Sequence, residues 1–176
     1  MTKNHNYDFE IVLIAAVAQN GVIGRDGDLP WSKPLIGDLK RFTELTKPHP
    51  IIMGSNTWES IPKAYRPLPD RLNMVLTSNE NYDASGAYVR ESLEDALESI
   101  DERDPFIGGI NYQQVFIIGG ARVYAEALPL ADRLELTEVK FNIEGDTFFP
   151  DYNKDGWKEI ARIEKETHDF VTYLRK

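Results

Sequence analysis

The sequence contains no cysteine. That removes disulfide scaffolds, thiolate metal sites and cysteine nucleophiles together, and it suits the reducing cytoplasm expected as its location. Histidine is almost as scarce. His5, His49 and His168 lie far apart without metal-ligand spacing, so no metal site is expected. Gly-x-Ser-x-Gly, the P-loop, His-Glu-x-x-His and the dinucleotide fingerprint Gly-x-Gly-x-x-Gly are all missing, which leaves nucleophilic hydrolysis and zinc chemistry without support. Long apolar runs are absent too. The longest, residues 11–18, is far too short to cross a bilayer and follows acidic and polar residues, so neither a membrane span nor a signal peptide is expected. Positive charge is in deficit: 20 Lys and Arg stand against 29 Asp and Glu, a net charge of -9. Such a field disfavours non-specific nucleic-acid or anionic-membrane binding. An anionic ligand would need arginine concentrated at its site.

What is present reads as an alternation of strands and helices. A chain of 176 residues suits one domain spanning 1–176, with residues 1–8 as a flexible extension in which Asn4, His5 and Asn6 are frayed. Apolar and β-branched runs predict strands at 11–18, 51–53, 72–77, 115–118 and 134–139, and two alternating segments, 157–163 and 170–174, predict a hairpin. Helical patterns occupy 35–46, 55–60, 92–103 and 121–128; the third opens on a Ser92-x-x-Asp95 capping signature. The expected fold is α/β, a central mostly parallel sheet with an antiparallel C-terminal hairpin, flanked by four helices. Ligands on such sheets bind at the carboxyl ends of the strands. The loops 19–34, 62–71 and 106–111 are the places for a lid.

Helix 35–46 is the most informative element. Leu35, Leu39, Phe42 and Thr46 share one face at roughly 100° per residue, and Asp38 shares it with them. Read alone, Asp38 is a carboxylate at the rim of that stripe, because Asp is rarely buried unless paired. A partly desolvated carboxylate can also hold or relay a proton near neutral pH. Further along, Ile117-Ile118-Gly119-Gly120-Ala121-Arg122 runs from strand through two glycines into a helix. Backbone at such a junction can approach a phosphate, and Arg122 in the first helical turn opposes the dipole unless an anion binds there. A tight strand–helix turn explains the glycines equally well. Gly54, Asn56 and Thr57 repeat the arrangement after the strand 51–53, where an ordinary helix cap is the alternative. Two such junctions are what a diphosphate bridging two strand ends needs. Arg66 and Arg71 end a proline-stiffened loop, and arginine is the natural bidentate partner of a carboxylate. A surface arginine on a turn is the plainer reading.

Taken together, the segments resemble dihydrofolate reductase, of the bacterial, monofunctional type. The resemblance runs in order from residue 11 to about 174. It is carried by Ile14-Ala15-Ala16-Val17-Ala18, Gly21-Val22-Ile23-Gly24, Leu29-Pro30-Trp31 and Asp38-Leu39 to Phe42, then by Met53-Gly54 to Thr57-Trp58-Glu59-Ser60-Ile61 and Pro67-Leu68-Pro69 with Arg71. Ile118-Gly119-Gly120, Leu136-Thr137 and Gly145-Asp146-Thr147 to Phe149-Pro150 complete it. An aspartate at position 38 is similar to the bacterial branch.

The resemblance implies transfer of a hydride from NADPH to C6 of 7,8-dihydrofolate and a proton to N5, giving tetrahydrofolate for one-carbon metabolism and thymidylate and purine synthesis. It implies that Asp38 holds the pterin and promotes N5 protonation through water, that Thr137 bonds to Asp38 and the pterin, that Trp31 holds an ordered water, and that Leu29 sits in a mobile lid. Ile14, Ala16, Leu39, Phe42, Ser60, Ile61, Leu68, Ile118 and Tyr124 would line the substrate pocket. Arg71 would clamp the substrate's glutamate carboxylate, with Arg66 and Thr43 at the mouth. Cofactor contacts would come from Ala16, Ile23, Gly24, Leu29, Gly54, Ser55, Asn56, Thr57, Leu76, Thr77, Ser78 and Arg90, and from Ile118, Gly119, Gly120, Ala121, Arg122, Val123 and Tyr124. The Gly119–Gly120 bond is similar to one that is cis in this family. Antifolates such as methotrexate or trimethoprim are expected to bind, and the chain is expected to be a monomer.

Position 55 departs from the pattern: many members carry arginine near the cofactor's 2′-phosphate where this chain has Ser55, leaving Arg90 and Arg122 as the basic candidates. Two extra residues precede Asp38, and the 101–111 loop is long. Two rival readings stay open, a reductase of another pterin-like or pyrimidine substrate and a folate-binding protein without turnover. Asp38 together with Arg71 argues against the first; Asp38, Leu29 and the paired glycines argue against the second.

Overall fold

The computed structural model describes residues 4–101 and 107–176. The chain runs β1 (Glu10–Val17), β2 (Val22–Gly24), α1 (Asp38–Thr46), β3 (Pro50–Gly54), α2 (Ser55–Ser60), β4 (Leu72–Leu76), β5 (Tyr88–Arg90), α3 (Leu93–Asp101) and β6 (Gln114–Gly119). It continues through α4 (Ala121–Ala127), β7 (Arg133–Val139), β8 (Thr147–Phe148), β9 (Trp157–Glu164) and β10 (His168–Arg175). Eight strands form one sheet in the order β5-β4-β3-β6-β1-β7-β10-β9. The pairings from β5 through β7 are parallel, and β10 is antiparallel to both β7 and β9. This is the expected mostly parallel sheet with a terminal antiparallel hairpin.

The unbroken apolar runs follow from burial on both faces. Successive residues point to opposite sides, so Ile11 and Leu13 enter one cluster with Leu97, Val123 and Ala127 of α3 and α4. Val12 and Ile14 enter the other with Trp58 of α2, and Phe42 and Leu45 of α1 pack on it. Ser92 caps α3 as its signature implied: its hydroxyl accepts from the Asp95 N–H at 3.1 Å, and the Asp95 carboxylate accepts from the Glu91 N–H. The last residues of the predicted 92–103 helix, like part of the 106–111 loop, lie outside the described residues.

Three expectations are corrected. Helix 35–46 begins at Asp38, because Gly37 takes a left-handed φ of 87° that no helix continues through. Asp38 therefore sits in the first turn, where a negative charge complements the dipole. The N-terminal extension is not frayed over its described part: His5 Nε2 bonds to Asp132 at 2.9 Å, and Tyr7 stacks on buried Phe9 at 5.1 Å. Three short strands were not expected: β2 falls in the 19–34 stretch read as a loop, and β5 and β8 fall between the predicted elements. Two or three residues carry too little periodicity to be seen, and β2 exists only through its pairing with β8.

Besides the apolar packing of Phe42 and Leu45, α1 meets β7 through polar pairs. Asp38 and Arg41 stand three residues apart on one helix face, and they meet Thr137 and Glu135 two residues apart on one face of β7. Arg41 Nη2 donates to Glu135 Oε2 at 2.5 Å, and its guanidinium lies over the Phe170 ring at 5.0 Å. Burial is the largest influence on both partners, pushing the Glu135 carboxyl up and the Arg41 guanidinium down against their mutual attraction. Thr172 also donates to Glu135.

Removing Arg41 leaves the buried Glu135 carboxylate to Arg133, 3.8 Å away and itself paired with Glu10, a poorer counter-charge. Arg41→Met should cost about 3 kcal/mol in urea unfolding at pH 7, and Arg41→Met with Glu135→Leu should recover most of it. A single substitution costing under about 1 kcal/mol would contradict this assignment. The histidines give a second expectation. Burial holds both His49 and His168 below the ordinary imidazole value, so below about pH 6.5 the unfolded chain binds protons that the fold refuses. Stability should be complete above that pH and decline as pH falls from 7 to 5.5, by at most about 1.4 kcal/mol per pH unit per histidine. His49→Gln should flatten the decline; a slope unchanged by it would refute His49's share.

Candidate active site

A cleft of about 620 Å³ runs along the carboxyl ends of the central strands. Its floor comes from Ala15 and Ala16 of β1, Gly54 closing β3, Leu76 closing β4, and Ile118 and Gly119 of β6. Parallel order puts all these ends on one side, and the first turns of α2, α3 and α4 follow them. Every residue expected to contact a cofactor lines this cleft except Arg90.

Two glycines keep the floor open. Gly119 has a φ of 124°, and a Cβ there would stand 3.3 Å from Thr57 Oγ1 and 3.4 Å from the Tyr124 ring. A Cβ on Gly54 would stand 3.3 Å from Val123. The Gly119–Gly120 peptide is cis, as the resemblance implied. Hydroxyl and amide groups of Ser55, Asn56, Thr57, Thr77 and Ser78 surround this bare backbone. Tyr124 is buried, and its hydroxyl donates to the Ile14 carbonyl at 2.7 Å. Burial, reinforced by the Asp38 charge, holds that phenol far above its ordinary value, so it acts as a neutral donor.

Beyond the β1 end of the cleft, whose described lining holds no α1 residue, β7 links β1 to α1. Ala16 pairs in register with Thr137 of β7, and Thr137 Oγ1 donates to Asp38 Oδ1 at 2.6 Å. Thr137 is buried and Asp38 half-buried. One carboxylate oxygen is thus held, and the carboxylate still reaches solvent. Ile36 and Leu39, close to it in the chain, stand exposed, Leu39 by 75%, and Leu29 stands exposed on the cleft wall. Large apolar side chains left in water near a fixed carboxylate fit a flat, partly apolar ligand.

The other expected substrate residues form a second wall. Phe42, Ile61 and Leu68 pack on the cluster that contains Ile14. Arg66 lies over the Trp58 ring at 5.6 Å, and Arg71 over Phe42 at 5.7 Å. Arg71 donates from Nε to the Pro69 carbonyl and from Nη1 to Thr46 Oγ1. Those bonds leave its Nη2 unused and aim the guanidinium. Thr43 bonds back to the Leu39 carbonyl and Ser60 to the Thr57 carbonyl, so both hydroxyls serve the helix turns. Trp31 is half-buried beside buried Pro30.

Arg90 lies outside the cleft, and Arg122, which lines it, is already paired. Arg90 is turned to α3: Nε donates to Ser99 Oγ, Nη1 to the Val89 carbonyl, and Asp95 lies 3.9 Å away. As the last residue of β5 its side chain falls on the face that α3 covers. Arg122 lines the cleft, but its Nε donates to Glu126 at 2.9 Å, one helical turn on, and its side chain is 92% exposed. Sequence reading also missed Asp28, Glu91, Ser92, Leu93, Glu126 and Thr147 in the cleft wall. Recognising β5 would have found Glu91 and Ser92, which follow a strand's carboxyl end.

The family model for dihydrofolate reductase matches residues 10–175. Dihydrofolate reductase type 3 of Salmonella typhimurium is 43% identical over 163 residues, covering 93% of this chain and 92% of its own. Dihydrofolate reductase HdrB of Haloferax volcanii is 42% identical over 166 residues, 94% of this chain and 83% of its own. A solved dihydrofolate reductase from Enterococcus faecalis, complexed with NADP(H) and RAB-propyl, superimposes with a TM-score of 0.82 at 35% identity, covering 96% of this chain and 98% of that one. The fold, the cleft at the strand ends and these likenesses agree: the chain belongs to the dihydrofolate reductase family of oxidoreductases.

Proposed function

We propose that this protein reduces 7,8-dihydrofolate to 5,6,7,8-tetrahydrofolate with NADPH, and that Asp38 carries its proton chemistry. The observation that supports this most is the Thr137–Asp38 bond at 2.6 Å, made from β7, whose Thr137 is the register partner of cleft-lining Ala16. The cleft suits an extended dinucleotide because its floor is bare backbone at Gly119, whose φ of 124° strains any side chain, and at Gly54, where a Cβ would crowd Val123. Gly119, Gly120 and the Ser55–Thr57 turn would hold the diphosphate, and Ala16, Ile23 and Tyr124 would border the nicotinamide. When bound, NADPH supplies the hydride that adds to C6 of the substrate, leaving NADP+.

The chain's own residues do the rest. Asp38, fixed through one oxygen, accepts hydrogen bonds from the amino group and ring N–H of a pterin with the other. A negative charge there favours a proton on N5, drawn from solvent. Leu29 and Leu39 cover the ring's faces, and Trp31 narrows the path by which water arrives. Arg71 offers its unused Nη2 edge to the substrate's α-carboxylate. A substrate lacking that carboxylate would leave Arg71 without a task, which disfavours the rival pterin or pyrimidine reductase. The same flat pocket with a fixed carboxylate suits antifolates that carry a protonated diaminopyrimidine or pteridine.

Loss of NADPH absorbance on adding dihydrofolate should report turnover. Asp38→Asn should lower kcat by about 100-fold or more near pH 7, recover part of the loss at low pH where solvent protonates N5 of the substrate unaided, and still bind ligand. An Asp38→Asn protein as fast as the parent would refute the assignment. No turnover by the parent chain with ligand binding intact would favour the folate-binding alternative.

A further inference from the structure

The proposed function puts the reacting ring at the Asp38 end of the cleft, so the adenosine end of the cofactor lies opposite, where β4 and β5 finish and α3 begins. We propose that this far end accepts an adenosine ribose with free hydroxyls about as well as one bearing a 2′-phosphate, that Glu91 sets the balance, and that the enzyme therefore uses NADH alongside NADPH. The inference rests on that reading of the cleft as a nicotinamide dinucleotide site.

The charges argue for it. Among the described residues lining the cleft, Arg122 is the single cation, against the carboxylates of Asp28, Glu91 and Glu126. Arg122 is already ion-paired with Glu126. Arg90, the other basic group in this quarter, donates to Ser99 and to the Val89 carbonyl and lies near Asp95. A phosphate dianion entering here meets no arginine without a carboxylate partner, and bidentate arginine is what such a group ordinarily requires.

Glu91 adds a preference of its own. It follows β5 directly, and its backbone N–H is tied to the Asp95 carboxylate at 3.3 Å, which fixes its position at the cleft wall. A carboxylate just beyond a strand's carboxyl end accepts hydrogen bonds from ribose hydroxyls and repels a phosphate in the same place. The hydroxyls of Ser55, Thr77, Ser78 and Ser92 donate to either group. A phosphate is therefore tolerated here, not selected.

Calorimetric titration with 5′-ADP and 2′,5′-ADP, which carry the adenosine end without the nicotinamide, separates the possibilities. The two should bind within about tenfold of each other, and NADPH and NADH should differ in kcat/KM by a similar factor. Glu91→Gln should tighten 2′,5′-ADP by about fivefold while leaving 5′-ADP unchanged or weaker. Ser55→Arg, at the half-buried first residue of α2, should shift the ratio toward 2′,5′-ADP by about tenfold or more. A parent preference for 2′,5′-ADP above about 100-fold, or a ratio that Glu91→Gln leaves unmoved, would overturn the inference while leaving the cleft reading intact. If neither nucleotide binds, the dinucleotide reading of the cleft falls, and this inference falls with it.

Discussion

The placement of α1 depends on two polar side-chain pairs across its contact with β7. Arg41 meets Glu135, and Asp38 meets Thr137. Helix period and strand period make this possible: residues three apart on one element face residues two apart on the other. An apolar contact of the same area would hold the helix but would not fix its rotation as tightly, because dispersion is non-directional. Hydrogen bonds of 2.5 and 2.6 Å fix both rotation and height. The opposite face of β7 carries Leu134 and Leu136 into the core, so the strand that anchors α1 is itself immobilised by burial.

Everything proposed for the reaction depends on that anchoring. β7 lies beside β1 in parallel register, and Ala16 and Thr137 are partners. A carboxylate held by Thr137 is thereby held next to the strand end where the long cleft starts. The cleft in turn exists because four parallel strands end together and two of them end in glycine. The fixed carboxylate and the long cleft are two consequences of one register.

The legibility of the sequence followed the physics of each part. The core strands could be read because two-sided burial writes an unbroken apolar run, as in β1 and β3. The cap of α3 could be read because it is local, one hydroxyl and one carboxylate three residues apart. Asp38 could not be assigned from its helix alone, since the partner that fixes it is 99 residues away. The ordered motifs supplied that assignment. The start of α1 was misjudged because apolar spacing outweighed Gly37, whose left-handed backbone ends the pattern. Arg90 was misjudged because a short strand was missed, and the side chain's direction went with it. Net charge was a poor guide to the site for a related reason: a count of arginines says nothing about which are already paired, as Arg122 is with Glu126.

The account stands or falls on Asp38 and Thr137 acting as one unit. A double-mutant cycle of Asp38→Asn and Thr137→Val, read in the single-turnover rate of dihydrofolate reduction, measures their coupling directly. The account predicts that Thr137→Val slows the parent by about tenfold and adds little once Asp38 is replaced. Equal, additive losses in both backgrounds would contradict it.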